Sequence, residues 1–153
     1  PLGGSRWATR RGRRGGRLFE LNLDALAASV SFVAGEVARI CAGEASDVSA
    51  VHDVGSGGLA VALAEMTAAT RRGVNVGHLD SLGELFAEFP GRFVVATSDP
   101  EALVARAEAA GVRARSIGAV GGDRVTIGAL IDLSVHEIAA RREGALTGAL
   151  ETI

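Results

Sequence analysis

Residues 48–69, VSAVHDVGSGGLAVALAEMTAA, decide how this chain is read. They open with a short apolar run, Val48 to Val54, broken by His52 and Asp53, which predicts a buried strand. Gly55-Ser56-Gly57-Gly58 follows, and then Leu59 to Ala69, apolar nearly all round, which predicts a helix buried on most sides. Strand, glycine loop and helix in that order have a physical logic. The first turn of a helix leaves backbone N–H groups unpaired and carries a partial positive charge. Glycines let that backbone turn tightly and approach a ligand closely, and phosphate is the usual beneficiary. Ser56 adds a hydroxyl or serves as the helix N-cap, while His52 and Asp53, adjacent on a strand, point to opposite faces. The candidate phosphate- or nucleotide-binding residues are therefore His52, Asp53, Gly55, Ser56, Gly57 and Gly58. A second reading stands beside this one: the Gly57-Gly58 pair only permits close packing of a buried helix, with Asp53 tying down loop amides. The loop is neither a Walker loop, which needs a following Lys, nor a complete dinucleotide fingerprint.

Working outward, Leu26, Val30, Val33, Val37 and Ile40 recur at helical spacing ahead of the strand, with Gly43 as the stop. Beyond the loop, Val74 to Val76 is a short strand. Ser81-Leu82-Gly83-Glu84 is a capping box that opens a helix with Leu82, Leu85, Phe86 and Phe89 on one face, closed by Pro90-Gly91. Arg92 to Thr97 is the clearest strand, and Asp99-Pro100-Glu101 caps a helix that runs to about Ala110. Val112 to Val120 and Arg124 to Leu130 predict a β-hairpin around Gly121-Gly122-Asp123, and a second capping box, Ser134 to Glu137, opens the last helix. Alternating helices and strands that include a hairpin predict an α+β fold: a three-layer α/β/α domain with a mixed sheet.

The 153 residues are 48% hydrophobic and 22% charged, which is the composition of a globular domain with a real core. Aromatic residues are only 4%, so core volume must come from Ala, Val, Leu and Ile. Charge divides the chain. Residues 1–17 hold six Arg and no acid, a balance of +6, while ten Arg against eighteen acids leave the remainder at −8, which sums to the stated −2. Residues 1–20 read as an Arg/Gly-rich linker with too little apolar surface to order itself, and 21–153 as the folded domain. A first residue other than Met fits a chain that starts inside a longer protein. Clustered Arg is also an electrostatic footprint for nucleic acid, but Trp7 is the arm's only planar aromatic partner among residues 1–17 and no folded basic face accompanies it, so nucleic acid is not the expected partner.

Other residues carry little chemistry. Cys41, the one cysteine, lies in an apolar helical pattern and reads as a small core hydrophobe. His78 with Asp80 is too sparse for a metal site, His136 falls in the first turn of the last helix, and Asp123, Arg124 and Asp132 read as ordinary turn and strand-end residues. There is no Ser-His-Asp constellation, no apolar run of membrane-spanning length and no signal-peptide h-region, so the expected location is the cytoplasm.

At the level of motifs, HDVGSGGLAVALAEM at 52–66 resembles the loop-helix segment of the C-terminal domain shared by the aminoimidazole ribonucleotide synthetase-like family, in particular the last such domain of phosphoribosylformylglycinamidine synthases. Three more segments agree in the same order: PLGGSRW at 1–7, LGELFAEFPGRFVVAT at 82–97 and IGAVGGDRVTIG at 117–128. The resemblance implies a role in de novo purine biosynthesis. In these ligases ATP phosphorylates the formamide oxygen of formylglycinamide ribonucleotide, and glutamine-derived ammonia displaces the phosphate to give the amidine. It also implies partners: preceding synthetase domains of the same chain, a glutaminase subunit and a small accessory subunit. ATP and Mg2+ would serve the whole enzyme, with the ATP site and catalytic histidine in preceding domains, so the resemblance assigns no catalytic residue here and the domain alone would be inactive. The family loop usually reads His-Asp-Val-Ser-Asp/Glu-Gly-Gly-Leu. Gly55 stands here at the Ser position and Ser56 at the acidic one, which removes a carboxylate but leaves the backbone amides. Related ATP-dependent enzymes (selenophosphate synthetases, thiamine-monophosphate kinases, hydrogenase maturation factors) and a non-catalytic interaction module remain as alternatives.

Overall fold

The computed structural model describes residues 1–77, 79 and 81–150, the side chains of 146–150 excepted. His78 and Asp80 thus lie outside the described residues. The elements run α1 (Arg6–Arg10), α2 (Leu23–Cys41), β1 (Val48–Asp53), α3 (Gly58–Thr70), β2 (Val74–Val76), α4 (Leu82–Phe86), β3 (Phe93–Thr97), α5 (Pro100–Ala109), β4 (Gly118–Val120), β5 (Arg124–Ile127), β6 (Ile131–Ser134) and α6 (Val135–Leu150). They fall into two compact units, Pro1–Ala62 with Leu85–Ser116, and Leu63–Glu84 with Ile117–Ile153.

In the first unit β1 and β3 pair antiparallel, with His52 opposite Val94 and Asp53 opposite Phe93. Both strands are half-buried rather than fully buried, because the sheet they form has only two strands. Helix α2 is where expected, but its stripe is only partly covered: Leu26 and Val33 are half-buried while Val30, Val37 and Ile40 are exposed, and so is Cys41, against the expectation of a core thiol. The buried α2 residue is Glu36, 6% exposed. Its carboxylate pairs with Arg106 of α5 at 3.2 Å, and Arg106 Nη2 also donates to Asp47 at 2.8 Å. Thr97 at the end of β3 donates its hydroxyl to Asp47 at 2.7 Å. This ion pair, beside the half-buried Leu26 and Val33, fixes the side of α2 that turns inward. Helix α5 follows its sequence signals closely, with the Asp99 side chain accepting from Ala102 N and Gly111 leaving the helix at φ +73°.

The segment 1–20, expected to be too polar to order, carries α1. Ser5 caps that helix and is buried, as is Ala8, while Trp7 stacks on Phe86 at 6.2 Å and carries the Arg11 guanidinium over its ring at 4.7 Å. A second aromatic contact, Phe19 against Phe89, ties down the far end of the segment, while most of residues 9–18 stay exposed.

The second unit contains the four-stranded sheet β4-β2-β5-β6, mixed because β2 and β5 run parallel while the other pairs are antiparallel. Val74 and Val76 of β2 and Val125 and Ile127 of β5 are buried, with Asn75 facing out, the alternation of a one-sided strand. The class is α+β with a mixed sheet, as the sequence predicts. The expected hairpin of 112–120 with 124–130 is not formed. Residues 112–117 are not a strand, and β2 sits between β4 and β5. Gly73 leads β2 into that gap by exchanging backbone bonds with both glycines of the turn, Gly73 N to Gly122 O and Gly121 N to Gly73 O, both 2.9 Å. The true hairpin is β5–β6, after which Ser134 and Glu137 exchange the reciprocal bonds of the expected capping box at the start of α6. Helix α4 begins at its capping box but stops at Phe86, three residues short of the predicted Phe89.

Candidate functional site

The loop begins where β1 leaves β3. Val54 N donates to Arg92 O at 2.8 Å, which is the last bond of the ladder, and the chain then turns through Gly55 and Ser56 into α3. Gly57 and Gly58 have φ of +91° and +70°, values that L side chains rarely adopt. At Gly58 a Cβ would also lie 2.6 Å from Leu85 O and 2.8 Å from the Phe86 backbone, so the pair is needed for both turn and close packing. That much of the second sequence reading is correct. The other part is corrected: the carboxylate on a loop amide is that of Glu88, which accepts from Gly57 N at 2.8 Å.

Each candidate residue has a defined place. His52 is partly buried, its side chain 29% exposed, and its Nδ1–H donates to the Asp53 carbonyl at 2.6 Å. In the neutral ring that tautomer makes Nε2 the acceptor nitrogen. Asp53 is the open carboxylate, 75% exposed, with Oδ1 at 3.8 Å from His52 Nδ1. Its Oδ2 is 3.2 Å from where a Gly55 Cβ would stand, so the carboxylate leans over the loop. Gly55 and Ser56 form the exposed rim, and Gly57 and Gly58 the buried base. Ser56 is not the cap of α3, since Gly57 is the residue that precedes the helix. The structure thus brings all six residues to one loop, but splits them into a solvent-facing rim and a base already engaged by the protein.

The chemistry available is that of backbone amides beside one exposed carboxylate and an imidazole. Among the described residues no three His, Cys, Asp or Glu side chains are grouped to hold a metal ion. At the opposite end of β1, the Thr97 hydroxyl and then the Arg106 guanidinium hold the Asp47 carboxyl below its ordinary range. Sequence reading missed three carboxylates that matter structurally, Glu36, Asp47 and Glu88. Glu88 lies 31 residues from Gly57 and Asp47 lies 59 from Arg106, while Glu36 borders the apolar stripe of α2, between Val33 and Ile40.

Residues 33–130 match the family described as AIR synthase related protein, C-terminal domain. The chain is 45% identical over 95 residues to the phosphoribosylformylglycinamidine synthase subunit PurL of Rhodospirillum rubrum, covering 59% of this chain and 13% of that protein. It is 43% identical over 102 residues to that of Methylocella silvestris, covering 63% and 14%. The chain therefore spans about a seventh of the length of these relatives. Among solved structures, Thermotoga maritima PurL complexed with FGAR superposes with a TM-score of 0.59 at 18% identity, covering 75% of this chain and 21% of that one. PurLQS from the same organism superposes at 0.61 and 16%, covering 90% and 24%. With the family matched across the loop, both strands of the two-stranded sheet and strands β2, β4 and β5 of the second unit, the chain belongs to the AIR synthase-related C-terminal domain family.

Proposed function

We propose that this chain is the C-terminal domain of a phosphoribosylformylglycinamidine synthase subunit, acting in de novo purine biosynthesis as part of an ATP-dependent ligase that converts formylglycinamide ribonucleotide to its amidine. The observation that carries the reading is the 45% identity over 95 residues to a subunit of that name. On this reading the domain contributes a wall, and His52, Asp53, Gly55, Ser56, Gly57 and Gly58 form its phosphate- or nucleotide-contacting edge. Backbone amides suit a phosphate because they present fixed donors at a helix start, and of these the Gly57 amide is already taken by Glu88. They require no reorganisation as charge develops on a transferred phosphoryl group.

ATP and Mg2+ belong on this reading to the remainder of the enzyme. The one exposed loop carboxylate, Asp53, is too little to form a magnesium site by itself, so no step is assigned to the metal here. The partners are the other synthetase domains, a glutaminase subunit and a small accessory subunit, in the cytoplasm. The domain alone does not turn over substrate.

Co-expression tests this directly. The 153-residue chain is combined with a Rhodospirillum rubrum PurL that lacks its own matching C-terminal region, and amidine formation from formylglycinamide ribonucleotide, ATP and ammonia is measured. Restored turnover, with none from either piece alone, is the expected result. If the R. rubrum region restores turnover when supplied separately and this chain does not, the reading fails.

A further inference from the structure

One oxygen atom joins two distant parts of the first unit. Glu88 Oε1 accepts from Gly57 N at 2.8 Å and from Arg6 N at 2.7 Å. Both donors are backbone amides at helix starts. Arg6 is the first residue of α1, and Gly57 immediately precedes α3. Such amides have no intrahelical acceptor, and a carboxylate is a strong substitute because its charge meets the positive end of each helix. The two attachments are not otherwise connected by sequence. Segment 1–17 is held beside Glu88 by the Trp7–Phe86 stack, and within the segment the Ser5 hydroxyl shapes the start of α1, accepting from Ala8 N at 3.2 Å and donating to Leu2 O at 2.8 Å. The loop is held there by the close approach of Gly58 to the Leu85 and Phe86 backbone.

We infer that Glu88 is a positioning residue for the glycine loop: it is the loop's built-in anion, closing the Gly57 amide and coupling the loop to the Arg-rich segment 1–17. An incoming phosphate then meets the exposed Gly55 and Ser56 amides rather than Gly57. The coupling stands on the hydrogen bonds alone, whereas the placement of phosphate rests on the loop reading proposed above. The device has a clear consequence. Whatever pulls on segment 1–17, which carries six arginines and therefore responds to polyanions or acidic surfaces, loosens the base of the loop.

Amide hydrogen exchange on the 15N-labelled 153-residue chain, with Glu88→Ala, Glu88→Gln and Ser5→Ala, tests the coupling. Glu88→Ala is expected to speed exchange at Arg6 and Gly57 together, roughly tenfold or more, as loss of a charge-assisted bond implies. Glu88→Gln, which keeps a neutral acceptor, falls between. Ser5→Ala, which removes the α1 cap without touching the loop, speeds Gly57 as well. Val54, bonded to Arg92 O, is the internal reference for an intact fold. If Glu88→Ala does not fold, the other two variants decide. Inorganic phosphate titrated into the wild-type chain is expected to shift Gly55 and Ser56 and spare Gly57, with Gly57 joining them in Glu88→Gln or Glu88→Ala. Unchanged Gly57 exchange in Ser5→Ala, or a Gly57 that titrates in the wild type as strongly as Gly55, overturns the inference. No phosphate response at any loop amide, with the exchange coupling present, overturns the loop reading and leaves the Glu88 tie supported.

Discussion

The two ends of β1 differ in how far their polar groups are used up. At the Asp47 end, a carboxylate meets the Thr97 hydroxyl and the Arg106 guanidinium, and Arg106 in turn holds Glu36, so the polar groups satisfy one another. At the Asp53 end, the chain leaves the sheet through an exposed carboxylate and an exposed Gly55-Ser56 rim, over a base closed by Glu88. Because β1 and β3 are antiparallel, the same strand pair that ends in a closed network at one edge delivers the loop at the other. Buried polar groups that satisfy one another rigidify a fold. Those left facing water are available to a ligand. The first end is therefore scaffold, and the second is where function is to be sought.

The largest expected effect breaks the boundary between rim and base. Gly58→Val adds left-handed strain and an overlap with Leu85 O, and should cost roughly 3–5 kcal/mol in urea unfolding. It is a probe of the base rather than a selective block of the ligand, and a loss under about 1 kcal/mol would mean the loop is not held against Leu85 as described. Next, Arg106→Ala leaves the buried Glu36 carboxylate with only the more exposed Arg39 at 3.5 Å, and should cost about 3 kcal/mol by the same measurement. A neutral result would remove the contrast between the two ends.

Acid titration sharpens the comparison further. Asp47 has a lowered pKa in the folded chain, through Thr97 first and Arg106 second, so the unfolded chain binds its proton more readily. Its stabilisation is fully present above the unfolded value of about 3.9 and is lost as pH falls through the folded one. Glu137, held down by the Ser134 hydroxyl and amide, acts in the same sense from its own unfolded value of about 4.3. Unfolding free energy measured from pH 7 to 2 should accordingly fall on the acid side, and Asp47→Asn should flatten that fall. The smallest effect belongs to the rim. Ser56→Ala should change stability by less than about 0.5 kcal/mol, as for an exposed residue outside any cap, and a larger loss would show Ser56 to be structural.

The features legible in the chain were those whose cause lies within a few residues. Asp99-Pro100 and Ser134–Glu137 cap their helices as written, Val74, Val76, Val125 and Ile127 alternate inward, and Gly57-Gly58 supply positive φ where the loop must turn. Four motifs in order were enough to indicate the family. What the order of residues left open was which partner each element meets. Gly121-Gly122 looks like a hairpin turn until Gly73, far away in sequence, occupies the space between the strands. The α2 stripe reads as core until Arg106 draws Glu36 inward instead.

The sequence by itself determined the α+β class, the capped starts of α4, α5 and α6 and the position of the loop, because caps, alternation and backbone sign act through bonds and neighbours close along the chain. Only the tertiary structure decided the strand order, the face that α2 buries and the carboxylate that closes the Gly57 amide. Each of those depends on groups that chain separation hides and packing brings within hydrogen-bond distance.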